Sequence, residues 1–297
     1  RVLDPFSGGG SIPLEALRLG CETYAGEYNP VAVLILKATL EYPQRYGKLK
    51  KVKKGLELFK EEMINPLLED VKKWGNRVLK EVKQEIKRFY PEEDNGSIPV
   101  GYIWARTIPC QNPSCEAEIP LMRQFWLAKK KNKKVALKPF INNGKVEFKI
   151  VGQGNNFLSN FDPSKGTVSR AVANCLVCGN MVEANTTRKI FKEGKSGQRM
   201  VAVVLHYPNR RGKFYRIATK KDSDIFKEVE KYLVRKKEKL MDEWGINPVP
   251  DEKMPKKGTL GISPYWTEPK KWGDLFNSRQ KLTLITFVEK VREEYKK

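Results

Sequence analysis

The stretch RVLDPFSGGGSIPLEALRLGCETYAGEYNP, residues 1–30, alternates two short apolar runs with a glycine-rich turn and an amphipathic segment. Val2 and Leu3 lead into a first predicted strand, and Ser11 can cap a helix that Gly20 closes. The run ETYAGE then predicts a second strand that ends at an acidic residue. This order predicts a parallel strand–helix–strand unit, because parallel neighbours need a crossover connection between them.

The following segments favour helix. Residues 30–42, PVAVLILKATLEY, are apolar on nearly all sides and therefore predict a buried helix. In residues 48–90 apolar side chains recur every three or four positions, with Lys and Glu between them. Pro66 should break this amphipathic region, so we expect two helices there.

Residues 100–220 predict a β-rich region. One hairpin is expected to turn at Asn143–Gly144 and a second at PNRRGK, residues 208–213. Helices are predicted at 221–240 and 274–295, joined by an irregular connector rich in Pro and Gly. The fold class is therefore α/β plus α+β. The predicted segments are a partial Rossmann-like unit at 1–47, a helical linker at 48–98, a β domain at 99–220 and a helical C-terminal segment at 221–297.

The charge of the chain is strongly unbalanced. Its 297 residues include 57 Lys and Arg against 35 Asp and Glu, a net charge of +22. Such a basic surface favours a phosphate-bearing partner, DNA first and RNA as the alternative. A Lys-rich protein from a hot organism, held by charge networks, is the competing interpretation. No apolar run is long enough to span a membrane and no signal peptide is recognisable, so we expect a cytoplasmic protein without a membrane partner.

The glycine-rich turn predicts a cofactor site. A glycine turn between a parallel strand and a helix presents backbone amides at the edge of the sheet where ligands bind. Asp4 lies at the end of the first strand and Glu27 at the end of the second, where an acid can accept both ribose hydroxyls. No Gly-Lys-Ser/Thr follows, so a nucleoside triphosphate is not favoured and S-adenosylmethionine fits better. The alternative is a turn that only tightens the strand–helix junction. The predicted cofactor residues are Asp4, Pro5, Phe6, Ser7, Gly8, Gly10, Glu27 and Asn29.

Four of the five cysteines form two close pairs, CQNPSC and NCLVCGN, well separated along the chain. That spacing suits four thiolates around one tetrahedral structural zinc, with no position left for a substrate. Gly179 follows the second pair, whereas Glu116 stands at the equivalent place after the first. Free thiols or disulfides are the alternative, and Cys21 is predicted to be a core thiol. The predicted ligands are Cys110, Cys115, Cys175 and Cys178.

Two basic stretches predict contacts with a phosphate backbone. One follows Phe125 and Trp126, and the other lies at the tip of the second hairpin. Solvated charged loops are the alternative for both. The lone His206 falls within a predicted strand and is expected to be a surface or internally satisfied residue. The predicted contact residues are Lys129, Lys130, Lys131, Lys133, Lys134, Arg210 and Arg211.

Together these motifs resemble the adenine-specific DNA methylases that carry a zinc ribbon. The resemblance rests on VLDPFSGGGSIPLEALRLG, YNPVAVLILKA, WART before Cys110, EIPLMRQFWLAKKK, CLVCG and GDLFNSRQKLTLITF, which follow the family's order and cover nearly the whole chain. It implies a methyltransferase fold that binds S-adenosylmethionine through the 4–10 turn and Glu27. It also implies methyl transfer to an exocyclic amine of adenine.

The family's catalytic loop, Asp/Asn/Ser-Pro-Pro-Tyr/Phe, is missing from this sequence. Its polar side chain and aromatic ring would hold the amine of a flipped adenine. SPYW at 263–266 is the nearest approach, with one Pro instead of two, and a turn is the more natural interpretation of it. No catalytic residue is therefore assigned.

The resemblance places the missing loop and another segment in flanking parts of the same enzyme. We therefore expect the central portion of a DNA adenine-N6 methyltransferase, inactive by itself. A non-catalytic zinc-ribbon module that binds nucleic acid and an RNA methyltransferase are the alternatives.

Overall fold

The computed structural model describes residues 1–53, 61–152, 161–255 and 271–296. The fold mixes helices and sheets. Two compact units are present, an N-terminal unit of Arg1–Lys83 with Lys290–Lys297, and a central unit of Gln84–Glu289. Within the described ranges, no helix has the length and apolar character that a membrane crossing requires.

The N-terminal unit begins with a parallel pair of strands. β1 (Val2–Asp4) pairs in register with β2 (Thr23–Ala25), and α1 (Ser11–Arg18) connects them, as the sequence predicts. The prediction that Ser11 caps this helix is wrong, because Ser11 is its first residue and Gly10 is the N-cap. α2 (Pro30–Leu36) continues through a π-helical turn into α3 (Tyr42–Tyr46). This sheet contains two strands in the part of the chain that the structure describes.

The prediction that the helix starting at Pro30 is buried is wrong. Val31 and Leu34 are 64% and 61% exposed, and Leu36 is the one buried residue of α2. An apolar helix is buried only when a sheet or another helix covers it. Two short strands cover too little of this helix.

The sequence also predicts two helices within residues 48–90. The prediction of the first of these helices is wrong. β3 (Lys50–Lys53) and β4 (Glu61–Ile64) form an antiparallel ladder instead. Pro66 does not interrupt a helix but is the first residue of α4 (Pro66–Ile86). Proline suits that position because its missing N–H has no intrahelical partner there. A short 3-10 turn, Lys87–Phe89, follows α4.

The central unit is built on two antiparallel sheets. In the larger sheet the strand order is β14 (Phe214–Ile217), β13 (Gly197–His206), β5 (Ile98–Pro109) and β6 (Glu118–Leu121). In the smaller it is β7 (Trp126–Lys130), β8 (Lys133–Asn142) and β9 (Lys145–Val151). Their shared core includes Ala105, Phe125, Leu137, Phe148 and Ala202.

Both predicted hairpins are confirmed. β8 and β9 pair from Ala136–Val151 to Asn142–Lys145, so Asn143 and Gly144 form the turn, and both have positive φ. That conformation matches the twist of the flanking strands and suits Asn-Gly. β13 and β14 form the second hairpin, and the exposed His206 ends β13.

A third small sheet and three helices complete the central unit. β10 (Val168–Ser169), β11 (Val172–Asn174) and β12 (Met181–Val182) lead into α5 (Ala184–Lys192), a helix that the sequence analysis did not predict. α6 (Lys220–Trp244) and α7 (Ser278–Tyr295) agree with the two predicted C-terminal helices. SPYW at 263–266 lies outside the described residues.

Candidate functional site

The four predicted cysteine ligands meet at one place in the central unit. Cys110 follows β5 and Cys115 lies in the turn before β6, while the second pair lies in the turn between β11 and β12. All four sulfur atoms lie within 4.8 Å of one another, so the group can hold a metal ion. The ligand set consists of Cys110, Cys115, Cys175 and Cys178.

The sulfur–sulfur distances match tetrahedral coordination. Cys110 Sγ lies 3.7 Å from Cys178 Sγ, and Cys115 Sγ lies 3.8 Å from Cys175 Sγ. With a Zn–S bond of about 2.3 Å, two corners of a tetrahedron are about 3.8 Å apart. A disulfide would need about 2.05 Å, and all five cysteines are free. The alternative of disulfide pairing is therefore wrong. The half-buried Cys21 belongs to the other unit and takes no part in this cluster.

Three of the four sulfur atoms accept a hydrogen bond from a backbone amide. An amide two residues further along the chain donates to each sulfur, and this lowers the thiol pKa. The pKa of Cys178 falls to about 7 for this reason. Burial raises the pKa of Cys110 to about 12, and in Cys115 the effect of the Ala117 amide is outweighed by burial and neighbouring thiols, so its pKa is raised as well. The donors to Cys110, Cys115 and Cys178 are the amides of Asn112, Ala117 and Asn180.

A left-handed residue closes the turn of each cysteine pair. Gly179 has φ +76°, and Glu116 has φ +48° at the equivalent position after Cys115. Left-handed backbone is natural for glycine and costly for a glutamate. Both turns therefore use the same backbone conformation, and the first does so with a strained residue.

An apolar core supports the cluster. Ile108 and Ile119 contribute from β5 and β6, Val182 from β12, and Ile190 and Phe191 from α5. The sequence analysis missed α5, although the apolar pair IF within TTRKIFK is compatible with one buried helix face. With only one such pair in a helix of nine residues, the periodic signal is weak.

The glycine turn of the N-terminal unit has a defined backbone. Ser7 N–H donates to Gly26 O at 2.9 Å, and Gly10 N–H donates to Ser7 O at 2.8 Å. Gly8 and Gly10 have positive φ, at +53° and +83°. A Cβ at Gly10 would lie 2.6 Å from Leu36 Cδ2, whereas a Cβ at Gly8 would meet nothing within 4 Å. Glycine is therefore favoured at position 10 by its left-handed φ and by the close approach of Leu36, and open space lies beside Gly8.

The Glu27 carboxylate accepts hydrogen bonds from three backbone amides. Its Oε2 accepts from Gly8 N at 2.7 Å, and its Oε1 accepts from Tyr28 N at 2.7 Å and Asn29 N at 3.1 Å. The bonds from Asn29, Gly8 and Tyr28 lower the pKa of Glu27, so it is ionised at neutral pH. A carboxylate has about four acceptor positions, so three of these are in use. Glu27 thus holds the glycine turn against the end of β2.

The remaining predicted cofactor residues surround this turn. Asp4 Oδ1 accepts from Phe6 N at 3.3 Å, and Ser7 Oγ donates to Asp4 O at 2.7 Å. Phe6 is 81% exposed beside it. Pro5 packs its backbone against Gly26, where a Cβ would lie 3.2 Å from Pro5 O. The Asn29 side chain caps α2 and does not face the turn.

A cavity of about 690 Å³ lies between β2 and α2 with its π-helical continuation. Of the predicted cofactor residues, Glu27 alone lines it, with Cys21, Thr23, Lys37 and Glu41 among its neighbours. The glycine turn is therefore not a wall of this cavity.

The two predicted basic stretches form one surface. The Lys129–Lys134 stretch comprises the two-residue turn of the β7–β8 hairpin and the strand ends beside it, and Arg210 and Arg211 lie in the β13–β14 turn. Lys133 Nζ donates to Lys213 O and lies 4.7 Å from the Phe214 ring, which joins the two turns. Lys133 is thereby engaged within the protein, while its neighbours in both turns remain exposed. These exposed residues, which we call the basic hairpin surface, are Lys129, Lys130, Lys131, Lys134, Arg210 and Arg211.

No protein-family model, curated protein or solved structure matches this chain. The resemblance to the zinc-ribbon DNA methylases therefore remains a prediction from the motifs.

Proposed function

We propose that this chain is the central portion of an S-adenosylmethionine-dependent DNA adenine-N6 methyltransferase, with a zinc ribbon that contacts the target. The observation that carries the proposal is the glycine turn at the carboxyl ends of two parallel strands, which is fixed by Glu27 and leaves open space beside Gly8. Ligands of parallel sheets bind at that edge. No side chain caps the α1 N-terminus beside the turn, so its backbone amides can face a ligand.

Several further strands are needed for a complete cofactor fold. The two-stranded sheet and its helices leave apolar side chains uncovered, and contiguous exposed apolar surface marks an interaction site. We propose that further strands of a Rossmann-like sheet cover this surface in the active enzyme. The uncovered residues include Leu3, Ile12, Leu19, Tyr28, Val31 and Leu34.

The division of chemical roles follows from this arrangement. S-adenosylmethionine, when bound, supplies an activated methyl group. Residues of this chain would hold the cofactor through the Asp4–Gly10 turn and keep the DNA phosphates near the basic hairpin surface. The family's Pro-Pro loop, absent from this sequence, would hold the adenine amine. We therefore expect the chain alone to be inactive, and methylation of DNA by these residues alone would contradict that.

Calorimetry tests the cofactor site directly. We expect saturable binding of S-adenosylmethionine to the chain and loss of binding on Asp4→Ala, which removes the acceptor beside Phe6. Glu15→Ala serves as the control, because Glu15 is exposed on α1 and pairs only with Arg18. No saturable binding to the unaltered chain would contradict the proposal.

We also propose zinc as the ion of the cysteine cluster, since four thiolates at tetrahedral distances select zinc among common divalent ions. One zinc per chain should be found by elemental analysis. Cys175→Ala should lower that content, whereas Cys21→Ala should leave it unchanged. Equal zinc content in the two variants would argue against the site.

A non-catalytic nucleic-acid-binding module is the second candidate. The use of the Glu27 carboxylate by three backbone amides favours it, because a purely structural Glu27 needs no ribose. DNA binding without any S-adenosylmethionine binding would support this candidate over the first.

A further inference from the structure

A cavity of about 580 Å³ in the central unit is lined by three arginines and by no acidic residue. It lies on the core that supports the cysteine cluster, since Phe191 belongs to that core and Leu121 and Val168 pack against it. Its volume falls within the range of sites that bind small ligands, about 300–1,000 Å³. The arginines are Arg106, Arg123 and Arg170, and the apolar part of the lining is Leu121, Val168 and Phe191.

Regular structure brings the first two arginines together. Arg106 of β5 lies opposite Leu121 of β6, so both side chains lie on the same face of the sheet. Arg123 follows two residues later. The chain is held there because Thr167 N–H donates to Met122 O at 2.7 Å, which brings the start of β10 alongside.

A strained turn supplies the third arginine. Ser169 pairs with Val172, so Arg170 and Ala171 form a two-residue turn between β10 and β11. Both have positive φ, at +46° and +77°, in a turn type that usually takes Asn or Gly. Ala171 is fully buried, whereas Arg170 is exposed. The buried alanine fixes the position of the turn, and the arginine lines the cavity.

The three guanidinium groups lack an acidic partner anywhere in residues 1–53, 61–152, 161–255 and 271–296. Two other arginines of the central unit do have acidic partners: Arg216 binds both Asp222 and Glu93, and Arg199 lies 3.5 Å from Glu118. Three like charges around one cavity repel each other, and a bound anion would relieve that repulsion. Arginine also matches phosphate oxygens with two parallel N–H donors.

We propose that this cavity, the arginine pocket, binds a phosphate of a nucleic-acid strand together with the sugar or base attached to it. The guanidinium groups and Ser169 would take the phosphate oxygens, and Leu121, Val168 and Phe191 would contact the nucleoside. The choice of a nucleic-acid strand as the anion rests on the proposed function. The pocket shares no lining residue with the basic hairpin surface or with the cysteine ligands.

Binding of a fluorescein-labelled 20-base-pair DNA duplex, followed by anisotropy, tests the proposal. We expect the triple variant Arg106→Gln, Arg123→Gln, Arg170→Gln to bind at least about tenfold more weakly, with the log–log salt slope reduced by about one for each phosphate that is no longer neutralised. The control removes the same charge from the exposed face of α6. It carries Lys220→Gln, Lys227→Gln and Lys231→Gln. Equal affinities of the two variants would overturn the proposal.

Footprinting on the unaltered chain avoids any loss of folding in the variant. Phenylglyoxal modifies accessible arginines, and mass spectrometry measures each site. DNA should protect Arg106, Arg123 and Arg170 by at least about threefold, which corresponds to a site that is about two-thirds filled or more. Arg18, which lies in the other unit, should be unprotected. Unchanged modification of all three pocket arginines at saturating DNA would overturn the proposal.

A parallel arm with RNA of the same sequence separates the pocket from the proposed function. Protection by both nucleic acids, or by DNA alone, supports the pocket and the DNA partner. Protection by RNA alone supports the pocket and contradicts the DNA methyltransferase. If neither nucleic acid protects the three arginines, the proposal for the pocket is overturned. Cofactor binding is then tested separately by calorimetry.

Discussion

Backbone conformation at single residues decides the geometry of the two cysteine turns. Each turn needs a left-handed residue after its second cysteine, because the chain must reverse there while an amide reaches back to the sulfur. Gly179 adopts this conformation without a Cβ, whereas Glu116 adopts it with one. The left-handed region costs an L-residue about 1–2 kcal/mol.

Glu116→Gly should therefore stabilise the metal-bound protein. Relief of the left-handed strain is offset by about 0.5–1 kcal/mol because glycine is freer in the unfolded chain. We expect a net gain of roughly 0.5–1 kcal/mol in the free energy of unfolding, measured by urea denaturation with excess zinc. Gly179→Ala, where a Cβ has open space, should lose a similar amount. A loss of stability in Glu116→Gly would show that the side chain has a role that outweighs the strain.

The contacts of Asp222 at the α6 N-terminus predict that the free energy of unfolding depends on pH. It accepts two bonds from Arg216, at 2.6 and 2.7 Å, and one from Thr219 N at 2.7 Å. Burial raises the pKa of Asp222, but the bonds from Arg216 and Thr219 outweigh this and hold it below its usual value. A lowered folded-state pKa stabilises the fold above the unfolded value, about 3.9, and this stabilisation is lost as the pH falls through the folded pKa.

Asp222→Asn should accordingly cost about 2–3 kcal/mol at pH 7, because it removes a charged acceptor of several bonds. The difference from the unaltered protein should shrink as the pH falls below the unfolded pKa of about 3.9 and then through the lower folded pKa. Urea denaturation at pH 7, 5 and 3 measures it. A difference that stays constant over this range would mean that the charge of Asp222 does not matter.

At the scale of elements, a buried ion cluster within the central unit joins residues from three helices. Lys236 of α6 donates to Glu85 of α4 and to Glu289 of α7. Tyr232 O–H also donates to Glu85 at 3.1 Å, and Lys239 Nζ lies 3.2 Å from Glu289. Removing one member of a buried ion cluster leaves its partners unneutralised, which costs more than the intact cluster contributes.

Lys236→Met should destabilise the protein by about 3 kcal/mol, since two carboxylates lose their shared cation. Removing one partner of a buried ion pair usually costs about 3–5 kcal/mol of stability. We expect a loss at the lower end of this range, because Tyr232 and Lys239 still interact with the two carboxylates. Lys231→Met, an exposed position of the same helix, is the control and should change the free energy of unfolding by less than about 0.5 kcal/mol. Adding Glu85→Gln and Glu289→Gln to Lys236→Met should recover most of the loss. Failure to recover would locate the cost in packing rather than in charge.

Elements with strong local signals were predictable from the sequence, and elements defined by distant contacts were not. The Asn143–Gly144 turn and the helices α6 and α7 follow from turn chemistry and from periodicity. The β3–β4 ladder was missed because short runs such as KKVK and EEMI do not separate helix from strand by periodicity. The arginine pocket was missed because Arg106, Arg123 and Arg170 meet only through strand pairing.

The four cysteine ligands were predictable by contrast, since the ligand chemistry appears in the spacing itself. The burial of the Pro30 helix was mispredicted, because burial depends on what covers an element and not on its composition alone. Lys133 was predicted to contact phosphate, yet it bonds Lys213 O across two hairpins, which no local pattern indicates.

At the scale of the whole molecule, the two units differ in how completely they bury their apolar residues. The central unit has buried apolar cores around the cysteine cluster and between its sheets. The N-terminal unit exposes Leu3, Ile12, Val31 and Leu34, each by more than 60%. This contrast is what the proposed function explains, because a cofactor unit that is part of a larger sheet has surfaces reserved for the remaining strands.

Ultraviolet cross-linking of methyl-labelled S-adenosylmethionine to the chain tests this account most directly. The turn places the exposed Phe6 and Tyr28 beside the proposed site, and aromatic rings are efficient partners for such cross-links. We predict that peptide mapping finds the label within residues 1–36, that excess unlabelled cofactor removes it, and that Asp4→Ala abolishes it. No competable label, or label confined to the central unit, would contradict the assignment of the glycine turn to a methyltransferase.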